Sequence, residues 1–383
     1  MEEKKYSLWE IFFSFLKLGA GAFGGPAMVA YIKDLSVRQK KWIKEGEFKE
    51  GVAIAQAVPG ATALQVATYV GLKLRGILGG LCSFLGFVLP AFLLILVLSW
   101  VYTTHQHLPQ VAQIFKALRV AVVAIVAKAF FDFFLPISRK VKEVSIAFLA
   151  FILFSLGVNP FLIIFTCFLF SLLIFKDKGI ASQEDLFIIN WKRIFLLSLF
   201  PFCCLGILYI FFPKYFNLSF VMMKVDAFAF GGGYASLPLM VSEVVDKYGW
   251  MSKTVFMDGI ALGQITPGPI IITATFVGFY TLGIIGAIVA TISIFTPSFV
   301  IIFIASELQS KIRHSVWFVR AKRGLIASFS GLLLFAELKF IGGIDWNLFK
   351  IIFASALTLA LLKRVNILWI VAFTVILSFF VPF

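Results

Sequence analysis

The chain has 383 residues, 61% of them hydrophobic and 14% charged, with a mean hydropathy of +1.00. A soluble domain cannot bury so much apolar surface, and windows of about 20 apolar residues recur from end to end, as a polytopic α-helical membrane protein requires. The apolar runs are continuous rather than alternating, which excludes a β-barrel; the 34 Lys+Arg against 19 Asp+Glu lie mostly between apolar segments, where they orient loops and do not signal nucleic-acid binding.

Residues 1–5 carry both charge signs and precede an apolar run with no small-residue cleavage site, which reads as an uncleaved first segment. The first segment, 9–32, is interrupted by Gly19, Gly21, Gly24, Gly25 and Pro26. A polar stretch at 33–50 leads to segment 52–72, broken at Pro59-Gly60, and then to 76–102, with Pro90 inside. Segment 111–135 is less apolar and carries Lys116, Arg119, Lys128 and Asp132; two shorter ones, 144–156 and 160–175, turn at Gly157. After the polar linker 176–193 comes an extra segment, 194–212. The pattern then starts again with 216–241, 255–282, 283–305, 324–341, 348–362 and 367–383.

The second series is a copy of the first. In one register Lys17 matches Lys224, Phe23 Phe230, Gly24 Gly231, Gly71 Gly278, Gly76 Gly283, Gly79 Gly286 and Pro90 Pro297. One residue out of that register, Trp42 matches Trp250, Gln56 Gln264, Pro59 Pro267 and Gly60 Gly268. The chain therefore divides into a first repeat (1–175), a linker with a connecting helix (176–215) and a second repeat (216–383). The odd number of segments between equivalent positions turns the second repeat over in the membrane, as in many secondary transporters. Basic loops at Lys73/Arg75, Arg139/Lys140/Lys142, Lys176/Lys178/Lys192/Arg193, Lys311/Arg313/Arg320/Lys322/Arg323 and Lys363/Arg364 alternate with loops lacking Lys and Arg. Placing the basic loops and the amino terminus inside satisfies the positive-inside tendency. The Lys-rich stretch 33–50 disagrees with simple spanning; it fits if the Gly/Pro-broken segments are re-entrant hairpins with legs of about 12 residues, half a bilayer each.

A break in a membrane helix frees backbone groups that hydrocarbon cannot satisfy, so it persists where protein, water or substrate supplies partners. Four such breaks stand at Gly24-Gly25-Pro26, Pro59-Gly60, Gly231-Gly232-Gly233 and Pro267-Gly268-Pro269. Half-helices starting after them would aim unpaired N–H groups and positive dipole ends at an anion, while the alternative is that the glycines ease packing and the prolines kink. Around them lie Gln56, Thr62 and Gln65, and Gln264, Thr266 and Thr273, able to donate to an oxyanion or to bond carbonyls freed by proline. Lys17 and Lys224 sit where charge costs about 2.5–3.5 kcal/mol on insertion scales and are candidate substrate contacts; interfacial snorkelling is the alternative. Arg119 and Arg323 are taken as equivalent anion funnels or loop anchors. Asp132, spaced to pair with Lys128, and the isolated acids Asp258 and Glu337 are candidates for a coupling proton.

Cys82, Cys167, Cys203 and Cys204 lie in apolar runs without metal-ligand spacing, and the three histidines form no zinc motif, so neither a metal nor a cofactor is expected. No nucleophile–base or clustered-acid arrangement marks an enzyme. The doubled motif, Phe23-Gly24-Gly25-Pro26 with Trp42, Gln56, Pro59-Gly60 and Gly71, then Phe230-Gly231-Gly232 with Trp250, Gln264, Pro267-Gly268-Pro269 and Gly278, resembles the two-domain chromate ion transporter family over nearly the whole chain. The resemblance implies a carrier in the cytoplasmic membrane that exports chromate, with sulfate as a related substrate. Ala61 departs from it, standing where the family's first half usually has a second proline. Three alternatives stay open: a carrier for another small anion, an anion channel using the same helix ends, and a homodimer contact along 194–212.

Overall fold

The computed structural model describes residues 6–23, 27–175, 191–308 and 316–383. Gly24, Gly25 and Pro26, most of the linker 176–193, and Lys311 and Arg313 lie outside the described residues. Every regular element among those described is helical. Among the described residues, four apolar helical stretches are long and apolar enough to cross a membrane: Thr62–His105, Ile194–Phe211, Ile270–Glu307 and Val319–Ile341.

The first repeat consists of α1 (Leu8–Gly21), α2 (Ala27–Lys33, continued as a π-helix over Asp34–Gln39), α3 (Glu45–Ala55), α4 (Thr62–His105), α5 (Pro109–Phe134), α6 (Val141–Ser155) and α7 (Pro160–Ile174). α8 (Trp191–Phe211) connects it to the second. There α9 (Pro213–Phe228), α10 (Ser236–Met240, continued as a π-helix over Val241–Lys247), α11 (Lys253–Ile265), α12 (Thr273–Glu307), α13 (Val316–Ile341), α14 (Leu348–Leu362) and α15 (Ile367–Ser378) repeat the plan. Even the wide π-turns fall at equivalent positions.

At 14 residues, α1 is about 21 Å long, too short for a hydrocarbon core of about 30 Å. Its chain doubles back: Lys40 Nζ donates to Glu10 Oε1 at 2.9 Å, and the Trp42 ring lies 6.0 Å from that of Tyr6. α3 and the start of α4 form a second such hairpin, in which Gly51 lies against the Tyr69 ring so closely that a methyl there would collide with it. Arg75 Nη1, at the far end of this second hairpin, donates to Tyr6 O at 3.4 Å. Both hairpins therefore start and finish at one end of the molecule, as the re-entrant arrangement requires.

The expected boundary between segments 52–72 and 76–102 is a reversal, not a loop. Gly76 has φ 57° and ψ −147°, and Gly283 has φ 67° and ψ −156°, a conformation that a side chain resists. There α4 and α12 each fold back on themselves, so that Gly71 meets Gly79 and Gly278 meets Gly286 backbone to backbone. In a straight helix residues eight apart would be about 12 Å apart along the axis. The Thr275 and Thr291 hydroxyls, 2.6 Å apart, close the same crossing in α12.

The repeats are exchanged as well as inverted. α1 packs on α4 and α9 on α12 within their own repeats, and α4 and α12 cross at the centre. Beyond that, α13 lies on α6 and α7 of the first repeat, while α5 lies on α14 and α15 of the second. Since α5 and α13 finish at equivalent residues, Phe134 and Ile341, in the register that pairs Gly79 with Gly286, Arg119 is equivalent to Ile326 and Arg323 to Lys116. The expected equivalence of the two arginines is thereby corrected; they are unrelated residues about one turn apart.

Candidate functional site

The breaks meet at the crossing. Gly60 N–H donates to Ala229 O at 3.0 Å, and the equivalent Gly268 N–H donates to Ala22 O at 2.8 Å. The second break of each repeat is thus held by the first break of the other. Gly60 (φ 117°) and Gly268 (φ 99°) supply the left-handed turns that let the chain reverse there.

Beside this junction lies a cavity of about 580 Å³. On one side it is bordered by α2 and α3 of the first repeat, through Val29, Lys33, Lys49 and Val52, and by Gln56 just after α3. Its floor comes from the breaks: Thr62 and Ala63 at the start of α4, Gly231, Gly232, Gly233 and Tyr234 from the second repeat, and Gln264, Thr266 and Gly268. The first intrahelical bond of α4 is Gln65 N–H to Ala61 O. Thr62, Ala63 and Leu64 therefore have N–H groups with no acceptor inside their helix, at its positive dipole end. Gln264 is 8% exposed, and its Nε2 has no close hydrogen-bond partner, only approaching the Tyr234 hydroxyl.

Two lysines and no carboxylate line this cavity among the described residues. Glu45 stands near the mouth, 2.8 Å from Lys33 Nζ and 3.3 Å from Lys49 Nζ. Hydrogen bonds from Lys33 first and then Lys49 hold its carboxyl below the usual carboxylate range. Chemically the arrangement offers what an anion would need: two lysines, backbone N–H groups at a helix start and an amide donor.

Of the residues singled out from sequence, Gln56, Thr62, Gly231, Gly232, Gly233, Gln264, Thr266 and Gly268 border the cavity. Pro59, Gly60 and Pro267 are not among the residues bordering it; Pro59 O accepts from Gln65 Nε2 at 2.6 Å, so Gln65 serves the freed carbonyl. The Thr266 and Thr273 hydroxyls bond the Gly263 and Ile270 carbonyls and are likewise committed to backbone.

The equivalent lysines do not reach the cavity. Lys224 Nζ is 2.7 Å from Glu243 Oε1, a fully buried acid on the second π-helix, and lies over the Phe161 ring. Lys17 faces an outer groove between α1 and α2 with Trp9, Phe13 and Tyr31. Asp258 is not isolated: Arg119 grips it through Nε (2.7 Å) and Nη2 (2.8 Å), and the Tyr102 hydroxyl adds a third bond at 2.7 Å. Asp132 pairs with Lys128 as its spacing suggests. Glu337 is buried with one oxygen, Oε2, lacking a partner.

Sequence reasoning missed Lys33 and Lys49 as cavity residues, Glu243 as the partner of Lys224, and Ser298, whose Oγ accepts from Ala61 N–H at 2.9 Å. The mismatch of Ala61 with Pro269 was a legible signal for the last, since an alanine has an N–H that a proline lacks.

The chromate transporter family model matches residues 9–172 and 216–379. An uncharacterized transporter of Methanocaldococcus jannaschii is 42% identical over 382 residues, covering 98% of this chain and 94% of the relative. A probable chromate transport protein of Synechococcus elongatus is 33% identical over 315 residues (80% and 77%). The chromate transport protein of Cupriavidus metallidurans is 28% identical over 309 residues (77% and 73%). No solved structure matches the chain. Matched in both of its repeats, this multi-helical membrane chain belongs to the chromate transporter family.

Proposed function

We propose that this chain is a secondary carrier that moves chromate or a closely related oxyanion outward across the cytoplasmic membrane, binding it at the floor of the cavity. The observation that carries this reading is the open N-terminus of α4 in a cavity wall that also holds Gln264, whose buried Nε2 has no close hydrogen-bond partner and only approaches the Tyr234 hydroxyl. A buried donor without a partner costs about 1–3 kcal/mol, a penalty that a bound oxygen would remove. On this reading residues 1–175 and 216–383 are the functional halves and 176–215 joins them.

With the amino terminus and the basic loops inside, the mouth at Lys33 and Lys49 opens to the cytoplasm, where an exporter loads. An inside-negative potential favours outward movement of a dianion by about 4.6 kcal/mol per 100 mV, so the potential alone could drive export. If a proton is coupled, Glu337 is the best placed of the three candidate acids, because Asp132 and Asp258 are engaged by Lys128 and Arg119. A channel would hold both faces open. Here Ser236, Met240, Met257 and Ile260, equivalent to the residues bordering the open cavity, are fully buried, which favours a carrier.

The test is uptake of labelled chromate into inside-out vesicles, with sulfate as competitor and with Gln264→Ala and Gln56→Ala beside the parent. Saturable uptake, weakened about tenfold or more in affinity by Gln264→Ala, is the expected result. Vesicles containing folded protein that take up sulfate but not chromate would reassign the substrate to another oxyanion. Uptake that never saturates would replace the carrier with a channel.

A further inference from the structure

The two repeats begin the half-helix after their second break in different ways. In the second repeat the residue before the first turn is Pro269, with φ −73°, and it has no N–H. Its equivalent, Ala61, has φ −75° and a fully buried N–H, which donates to Ser298 Oγ at 2.9 Å. Ser298 follows Pro297 in α12, and its own N–H donates to Asp226 Oδ2 at 2.7 Å. Asp226 and Ser298 are fully buried, and no cation pairs with the acid among the described residues.

The internal repeat gives the matching control. Asp226 corresponds to Gly19 and Ser298 to Ala91. Around Pro269 there is no hydroxyl and no acid in these places. Instead Gly19 packs directly on the Phe87 backbone, and a methyl at Gly268 would lie 3.0 Å from Ala91 Cβ. Proline, alanine and glycine form one set; alanine, serine and aspartate form the other.

From this matched difference we infer that Ser298 and Asp226 are positioning residues that stand in for a missing proline. They fix the start of α4 so that Thr62, Ala63 and Leu64 aim their N–H groups at the cavity. Proline fixes the same bend through its ring and needs no acceptor. Alanine leaves the bend free and a donor buried, so an oxygen must hold it. Ser298 is that oxygen, and Asp226 holds Ser298. The inference rests on the proposed anion site for its functional consequence and on the hydrogen bonds alone for its structural one.

The set predicts reciprocal compensation. Ser298→Ala strands the Ala61 N–H, while Ala61→Pro drives the ring toward Ser298 Oγ. Each alone should raise the KM for chromate about tenfold, with a smaller effect on maximal rate. Together, Ala61→Pro/Ser298→Ala rebuilds the Pro269/Ala91 arrangement, and the KM should return to within about twofold of the parent. Asp226→Asn keeps an acceptor for Ser298 N–H and should behave like the parent, whereas Asp226→Ala should follow Ser298→Ala.

The full-length protein in proteoliposomes serves for transport, with amide hydrogen exchange across residues 61–65 measured without anion. Faster exchange in Ser298→Ala that reverts in the double variant supports the positioning role even if the parent moves no chromate, in which case the proposed substrate is what fails. A parent that transports chromate and a double variant no better than Ser298→Ala in both readouts would overturn the inference.

Discussion

In the first repeat Val29, Lys33, Lys49 and Val52 border open space; in the second their equivalents, Ser236, Met240, Met257 and Ile260, are wholly packed away. The hairpins bearing them share element order, π-turns and reversals. The difference lies in whether these residues are covered and in what they are, two lysines against two methionines. One plan thus holds two arrangements at once, and on the proposed carrier reading their exchange is what would carry a central site from one face to the other.

The severest test of that likeness is at the reversals, where the repeats should respond alike. Gly71→Val and Gly278→Val each force a side chain into a facing glycine carbonyl, at a cost of about 4 kcal/mol or more. Both should lose folded protein in size-exclusion profiles; a well-folded Gly278→Val would mean that the two reversals are not equivalent in energy. The next effect should be one-sided. Arg119→Ala leaves the buried Asp258 without its cation, a loss of roughly 3 kcal/mol, while Ile326→Ala at the equivalent position removes only part of an aliphatic chain and should cost less. Thermal unfolding in detergent compares them.

Intermediate in size is the contrast of open and closed faces. With the native cysteines replaced, cysteine at Val29 or Val52 should react quickly with a polar thiol reagent, and cysteine at Ser236 or Ile260 slowly. Cycling under substrate should narrow the gap, and equal rates from the outset would remove the distinction. Lys33→Gln with Lys49→Gln should raise KM several-fold at low salt and little at high salt, because charges at a wide mouth are screened. The smallest effect concerns the backbone. Lys41 (φ 52°) and Arg364 (φ 65°) hold left-handed conformations where the other repeat has Gly249 and Gly157. Glycine at either site should stabilise by about 1 kcal/mol.

Glycines and prolines made much of this legible beforehand. They gave the duplication, the breaks and the hairpin legs, because each marks a backbone requirement that recurs in both copies. Gln264 and Thr62 could be chosen for the same reason, being close in sequence to a break. Lys17 and Lys224 could not be judged that way, since equivalence says nothing of what faces a residue: Glu243 engages Lys224, while its counterpart in the first repeat is Ser36. Asp258 looked isolated because its partners, Arg119 and Tyr102, belong to the other repeat. Long-range pairing of this kind leaves no local pattern to read.

The crossed bonds at the centre also bear on how the molecule is made. The carbonyl of Ala22 is synthesised early, yet its donor, the N–H of Gly268, emerges only after the connecting helix and three further hairpin legs. Until then the amino-terminal half sits in the bilayer with its break unmatched, and neither half can complete its own centre. Biogenesis should therefore be slow to close, with the last packing step set by the arrival of the second half. Two halves supplied as separate chains should recover the centre only by finding each other in opposite orientations.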